Sequence, residues 1–291
     1  MKALAFGEVL WDIYPIARYL GGASLNFAAH FKKCGGQSFI NTAVGDDDLG
    51  KAAIAEIQKL GVDTKYITVS EKETGKCLVT LNDKQIPSYN LLDNVAYDYI
   101  EKPVVVNGFF DVLYFGTLAL RNENNRNVLK AILSESSFDN VFVDLNIRAP
   151  YYSVDTVEFA CRNATMLKVS DEELPLVMNI LGETERALDK CAGILKGKFG
   201  NLKIIIITKG SCGSLAYDCQ RDKFFEHKAY RVKVASTVGA GDSFSAAFLW
   251  KYLEGDDIPE ALEFAAKISA YVVSCVDAVP DYDLQQLDKL V

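Results

Sequence analysis

Apolar residues fall along this chain in short, nearly continuous runs, with amphipathic stretches between them. Residues 2–9 are almost wholly apolar, the pattern of a strand buried on both faces. Residues 37–44, 111–115, 140–145, 164–169, 202–208 and 213–217 also read as strands. Stretches at 49–60, 123–134, 155–162, 172–180 and 183–198 read as helices between several of them. A further helix begins at Leu20-Gly21-Gly22-Ala23-Ser24-Leu25-Asn26, with Ser24 as its candidate cap, and stops at Gly35-Gly36. Strand-helix alternation predicts a three-layer α/β fold, a mostly parallel sheet flanked by helices. Such sheets hold ligands at the carboxyl ends of their strands.

From residue 62 to 100 the pattern changes. The stretch from Cys77 to Leu91 reads as short strands around an Asn82-Asp83 turn. A hairpin set among alternating units predicts a small second sheet, with strands drawn from about 9–19 and 74–100, able to close over a site as a lid. No repeat or low-complexity segment interrupts the pattern, so residues 1–291 read as one α/β domain carrying that lid.

The densest candidate chemistry lies at Ser236-Thr237-Val238-Gly239-Ala240-Gly241-Asp242, followed by helix formers with Phe244, Phe248 and Tyr252 on one face. Gly239 and Gly241 allow a turn and close approach to a ligand. The first amides of a helix have no intrahelical partners and sit at the positive end of its dipole, which favours phosphate. Asp242 adds a carboxylate beside that anion site, a pairing suited to phosphoryl transfer. Taken alone, the segment is equally an ordinary helix start with Asp242 in its first turn.

Other polar residues cluster where predicted strands end: Asp144, Asn146 and Arg148; Lys168, Ser170 and Glu173; Thr208, Gly210 and Gly213. Ser170 with Glu173 is also a capping-box pattern, and Thr208 with Gly210 a plain turn. Asp12 and Asn26, beside glycines, suit sugar hydroxyls as well as turns. Residues 45–52 have the Gly-x-x-x-x-Gly-Lys spacing of a phosphate loop. Ala52 replaces the magnesium-binding hydroxyl, however, and three aspartates would repel phosphates, so this stretch reads as an acidic helix N-terminus.

The segment at 237–242 resembles the C-terminal motif of the ribokinase-like (PfkB) carbohydrate kinases, with Ser236 where an aspartate is usual. The glycine turn with Asp12, Gly22 and Asn26 resembles their N-terminal motif. Pro87-Ser88-Tyr89 and Asn94-Val95-Ala96-Tyr97-Asp98 are similar to the fructokinase branch. The resemblance implies Asp242 as base, Gly239, Ala240 and Gly241 as the anion hole, and Arg148 near the transferred charge. It implies Asp12, Gly22, Asn26, Tyr89, Asp144 and Asn146 at the sugar. Lys168, Ser170, Thr208, Gly210 and Gly213 would serve the nucleotide, and Glu173 would hold Mg²⁺ through water. ATP and Mg²⁺ are the implied cofactors, fructose the implied acceptor, and another sugar or a sugar acid such as 2-keto-3-deoxygluconate the alternative. A sugar sensor without activity is a reading of another class. A dimer through the lid is implied as well. A bound monovalent cation is doubtful, because Ser236 lacks the carboxylate and Asp277 stands where a glycine is common.

Composition narrows this without redirecting it. The 291 residues are 49% hydrophobic and 24% charged, with a net charge of −8. An acidic chain disfavours nucleic acid, and no apolar run approaches a membrane span. The early Glu8 and Asp12 argue against a signal peptide. Seven scattered cysteines without Cys-x-x-Cys, and only two histidines, fit reduced thiols in a cytoplasm and no His-rich metal site.

Overall fold

The computed structural model describes residues 1–81, 87–103 and 109–287. Its strands are β1 (Lys2–Phe6), β2 (Leu10–Ile13), β3 (Arg18–Gly21), β4 (Gln37–Gly45), β5 (Ile67–Ser70), β6 (Gly75–Leu81), β7 (Pro87–Leu91), β8 (Val112–Phe115), β9 (Asn140–Asp144), β10 (Met166–Ser170), β11 (Ile204–Thr208), β12 (Ser214–Asp218) and β13 (Lys223–His227). The principal helices are α1 (Ala23–Lys33), α2 (Asp48–Lys59), α3 (Glu123–Glu135), α4 (Val154–Asn163), α5 (Leu174–Ile180), α6 (Leu188–Lys198), α7 (Ala240–Leu253) and α8 (Ile258–Val273).

Nine strands form the main sheet in the order β13-β12-β11-β10-β9-β8-β1-β4-β5. Pairing is parallel from β11 to β5, and antiparallel at β11–β12 and β12–β13. Alternate strand residues face opposite layers, as pleating requires. Ala3, Ala5, Tyr114, Phe142 and Ile206 pack with residues of α1, α2, α7 and α8. Leu4, Phe6, Phe115, Val143 and Ile207 pack with α3, α4, α5 and α6. Hence strands buried on both faces read as continuous apolar runs. Phe27 of α1 stacks on Tyr114 of β8 with centroids 3.8 Å apart, fixing that helix over the sheet centre.

Chain order reverses at β1: successive strands go one way through β4 and β5, the other way through β8 to β11. The carboxyl ends around this switch collect Glu8, Asp144, Ser170 and Thr208, as such a topology requires.

The lid is the four-stranded sheet β3-β2-β6-β7, two antiparallel hairpins joined by a parallel β2–β6 pair. The Asn82-Asp83 turn lies outside the described residues. The segment after Leu91 adds no strand. Arg121 draws it onto the main body by donating to the Leu92 carbonyl at 2.6 Å and pairing with buried Asp98 at 2.7 Å.

Local competition moved several boundaries. The helix expected from residue 183 begins at Leu188, because the Glu185 carboxylate accepts from the Arg186 and Ala187 amides at 2.8 and 2.9 Å. Ser24 does not cap α1. Gly22 is the N-cap, and the Ser24 hydroxyl donates to the Phe6 carbonyl at 3.1 Å. The first strand therefore stops at Phe6: a Cβ on Gly7 would lie 2.0 Å from Ser24 Oγ. At residues 45–50 the glycines serve packing. Asp47 caps α2 by accepting from the Gly50 amide at 2.7 Å, and a Cβ on Gly50 would meet the Gly45 carbonyl oxygen at 2.1 Å.

Candidate active site

Gly239 turns the chain into α7 with φ of 79°, and a Cβ there would lie 2.5 Å from the Ala278 carbonyl oxygen. The turn places Asp242 in the first helical turn, 9% exposed. Its Oδ2 accepts from Asn26 Nδ2 at 2.8 Å, a bond that joins α7 to α1. Burial pushes the Asp242 carboxyl up to about 6. Asp144 adds to the rise, while the Asn26 bond and the charges of Lys168 and Arg148 oppose it.

Beneath this turn lies a buried ion pair. Lys168 Nζ meets Asp144 Oδ2 at 2.6 Å, and Ser245 Oγ donates to the same oxygen at 3.0 Å. A Cβ on Gly241 would lie 3.3 Å from Lys168 Nζ, so the missing side chain brings the ammonium against the helix start. Glu8, 3% exposed, closes the other side. Its Oε1 accepts from the Ala23 amide at 2.9 Å, serving the end of α1 that Ser24 leaves open. Burial pushes the Glu8 carboxyl up to about 7, against two backbone hydrogen bonds.

Residues 236–241 wall two cavities. One, of about 670 Å³, is lined by Ser170, Asp171, Glu172, Thr208, Gly210, Gly213, Tyr230, Thr237, Ala240, Gly241 and Phe244, among others. The other, of about 970 Å³, is lined by Trp11, Asp12, Tyr14, Arg18, Tyr19, Gly22, Asn26, Ser236, Val238 and Asp277, among others. Asp12 is raised by burial, while hydrogen bonding to the Cys77 thiol and the charge of Arg148 hold it down. Gly22 is required by close approach, since a Cβ would fall 2.3 Å from the Glu8 carbonyl oxygen. Gly213 is required likewise, with a Cβ 2.0 Å from the His227 carbonyl oxygen.

The remaining expected residues divide. Arg148 is exposed, its charge acting on Asp12, Glu8 and Asp242. Asn146, beside it, adopts φ of 40°. Tyr89, 54% exposed on β7, lines neither cavity. Asp144 is buried behind the turn. Glu173 is heavily engaged: its carboxylate accepts from the Ser170 amide and hydroxyl, both at 2.8 Å, and from the Ile147 amide. The Ser170–Glu173 pair therefore has capping-box bonding while tying the Asn146 loop to β10. Sequence reasoning missed Glu8 and Ser245. A charged residue directly after a buried strand, and a serine one turn beyond Gly241, were their only signals.

The description of the pfkB family carbohydrate kinases matches residues 7–283. The chain belongs to this family. It is 26% identical over 287 residues to the 5-dehydro-2-deoxygluconokinase of Bacillus velezensis (strain DSM 23117 / BGSC 10A6 / LMG 26770 / FZB42), covering 94% of this chain and 85% of that one. It is 26% identical over 310 residues to "Probable fructokinase-5" of Arabidopsis thaliana, covering 95% and 93%. A crystal structure of an uncharacterized sugar kinase from Pyrococcus horikoshii in complex with ATP superposes with a TM-score of 0.82 at 25% identity, over 99% and 97% of the chains. This kinase is thus an enzyme of phosphoryl transfer to a hydroxyl group, on a ribokinase-like fold.

The buried carboxyls carry a pH signature. Glu8 holds its proton more tightly folded than unfolded, so its contribution to stability is present at low pH. That contribution is lost as pH rises from about 4.5 to about 7. Glu8→Gln keeps an oxygen for the Ala23 amide and cannot ionise. Urea unfolding should find the variant more stable than wild type at pH 8 by about 1–3 kcal/mol, and equal to it near pH 4.5. The same difference at both pH values would rule out ionisation as its cause.

Proposed function

We propose that this kinase uses ATP and Mg²⁺ to phosphorylate a primary hydroxyl of a six-carbon keto sugar, with Asp242 as general base. The observation carrying this reading is the partition. The Ser236–Gly241 turn walls both cavities, and Asp242 follows it directly. Asp12 and Asn26 hold acceptor hydroxyls on one side. On the other, Thr208, Gly210 and Gly213 border the nucleotide. The acceptor hydroxyl gives its proton to Asp242 as its oxygen attacks the γ-phosphorus, and the bond from that phosphorus to the bridging oxygen breaks, so ADP leaves. The amides of the turn, Lys168 against Gly241, and Arg148 stabilise the transferring charge. Within the described residues, the Gly239 and Gly241 amides make no hydrogen bond, whereas Ala240 donates to the Thr237 carbonyl at 3.3 Å. Positioning matters more than basicity, because the transition state is loose.

Asp171 and Glu172 supply carboxylates at the nucleotide cavity, a donor set that suits Mg²⁺, and Glu173 orders the adjoining loop. When bound, that ion neutralises phosphate charge.

Fructose is the first acceptor to test, on the resemblance of residues 87–98. Arg18 favours a second reading. It lines the acceptor cavity over the Trp11 ring at 5.1 Å and has no ion pair among the described residues. A sugar-acid carboxylate would supply one. Coupled ADP release with fructose, 5-dehydro-2-deoxygluconate and 2-keto-3-deoxygluconate separates the two. If the acid is preferred, Arg18→Ala should raise its KM by about 10-fold or more and leave that for ATP unchanged. No turnover with any acceptor in the panel, with sugar binding retained, would favour a sensor.

Asp242→Asn should lower kcat by at least about 10²-fold while sugar binding survives. Turnover near wild type in the folded variant would remove Asp242 as base.

A monovalent-cation site beside the turn does not fit these residues. The Ser236 hydroxyl is neutral and accepts from the Val238 amide at 3.2 Å, and the Ala278 carbonyl is bonded to His30 at 2.9 Å. Activity should therefore be the same in potassium chloride and tetramethylammonium chloride at equal ionic strength. A several-fold activation by potassium that disappears in Asp277→Ala would contradict this.

A further inference from the structure

His30 is a fully buried polar side chain that the catalytic reading leaves unused. It lies on α1 one turn beyond Asn26, so both point from the same helical face. Asn26 holds Asp242. His30 Nε2 lies 2.9 Å from the Ala278 carbonyl oxygen, and Nδ1 lies 2.9 Å from the Tyr282 hydroxyl. The same Ala278 oxygen is the atom that a Cβ on Gly239 would meet at 2.5 Å, and Ala278 Cα and Cβ would stand 2.9 Å away. The chain at 278 is therefore pressed against the left-handed residue that opens α7.

The chemistry of the two partners fixes the imidazole. A carbonyl oxygen only accepts, so Nε2 carries the hydrogen and donates to Ala278. Nδ1 is then the acceptor, and the Tyr282 hydroxyl donates to it. Burial pushes the His30 pKa down to about 4, with the Ala278 bond opposing and the Lys33 charge adding, so the ring is neutral under ordinary conditions. The far end of the clamp is anchored as well. Tyr271 donates from its hydroxyl to the Asp281 carbonyl at 3.2 Å, and Lys33 pairs with Asp281 at 3.0 Å.

We propose that His30 is a positioning residue for phosphoryl transfer: through its bonds to Ala278 and Tyr282 it holds the C-terminal loop as a backstop for Gly239, and so sets the turn that holds the transferring phosphoryl group. With Asn26 it makes α1 the common support of base and anion site. The proposal rests on the kinase reading above. A histidine that merely filled the core would affect stability but not the balance between ground-state and transition-state binding.

Two measurements need no knowledge of the sugar: basal ATP hydrolysis, and affinity for ADP with aluminium fluoride, a planar mimic of the transferring phosphoryl, against affinity for ADP alone. His30→Ala should weaken ADP–aluminium fluoride binding and lower hydrolysis by about 10- to 100-fold, while ADP alone binds within about twofold of wild type. His30→Gln, which can still offer a donor and an acceptor, should recover part of the loss. Tyr282→Phe keeps the ring and removes the hydroxyl that faces His30 Nδ1 and the Cys34 thiol. It should cost about threefold or more by the same readouts, and it stands as the test if His30→Ala does not fold. Folded variants that hold ADP–aluminium fluoride as wild type does, or that lose ADP alone in the same proportion, would overturn the proposal and leave the kinase reading intact. A wild-type protein that neither hydrolyses ATP nor binds the mimic would overturn both.

Discussion

The hydrogen bond from Asn26 to Asp242 joins residues 216 positions apart, and the candidate site depends on it. Asn26 is placed by α1, which packs over the centre of the sheet through Phe27 on Tyr114. Asp242 is placed by α7, which packs against α1 and α8. Both helices must therefore be seated before Asp242 meets Asn26. The glycines at 22 and 239 allow this, because a side chain at either would collide with backbone. Asp242 is thus fixed by tertiary packing at both ends, not by a local loop.

That placement has an electrostatic cost. Glu8, Asp144 and Asp242 are all buried around one point, and among the described residues Lys168 is the one cation buried with them. The Lys168–Asp144 pair is nearly neutral as a unit, which leaves Asp242 and Glu8 to bear the loss of solvation. Both carboxyls rise accordingly. In the proposed mechanism, the raised Asp242 carboxyl would accept a proton more readily than an exposed one. Burying these carboxyls costs some stability, a cost common where carboxylates are desolvated for function.

The lid and the body divide the remaining work. The lid sheet brings Asp12 and, through β2 and β3, the aromatic wall of Trp11 and Tyr19 to the cavity proposed for the acceptor. The body supplies the cavity proposed for the nucleotide from the ends of β10 and β11 and from α7 and α8. Two segments border both cavities: the turn before α7, and the end of α8 with the loop that follows it, through Val273 on one side and Val276 to Val279 on the other.

Much of this was legible in the residues themselves. Apolar runs gave the strands, because parallel strands buried on both faces are mostly apolar, with Asn41, Thr42 and Lys168 among the buried exceptions. The glycine at 239 was legible as a turn into a helix, because its left-handed angle and close approach to Ala278 exclude a side chain there. The four-stranded lid was visible as a break in alternation. Tertiary structure decided what depended on distant partners. Ser24 looked like a cap until Phe6 took its hydroxyl and Glu8 took the end of α1. The carboxylate of Glu173 turned back on the Ser170 and Ile147 amides. His30 finds its partners only because the loop at 278–282 folds across it. Local propensity specifies elements through short-range sterics and periodicity. Hydrogen-bond partners and pKa values come from groups that the sequence separates by tens to hundreds of residues, so only the folded chain decides them.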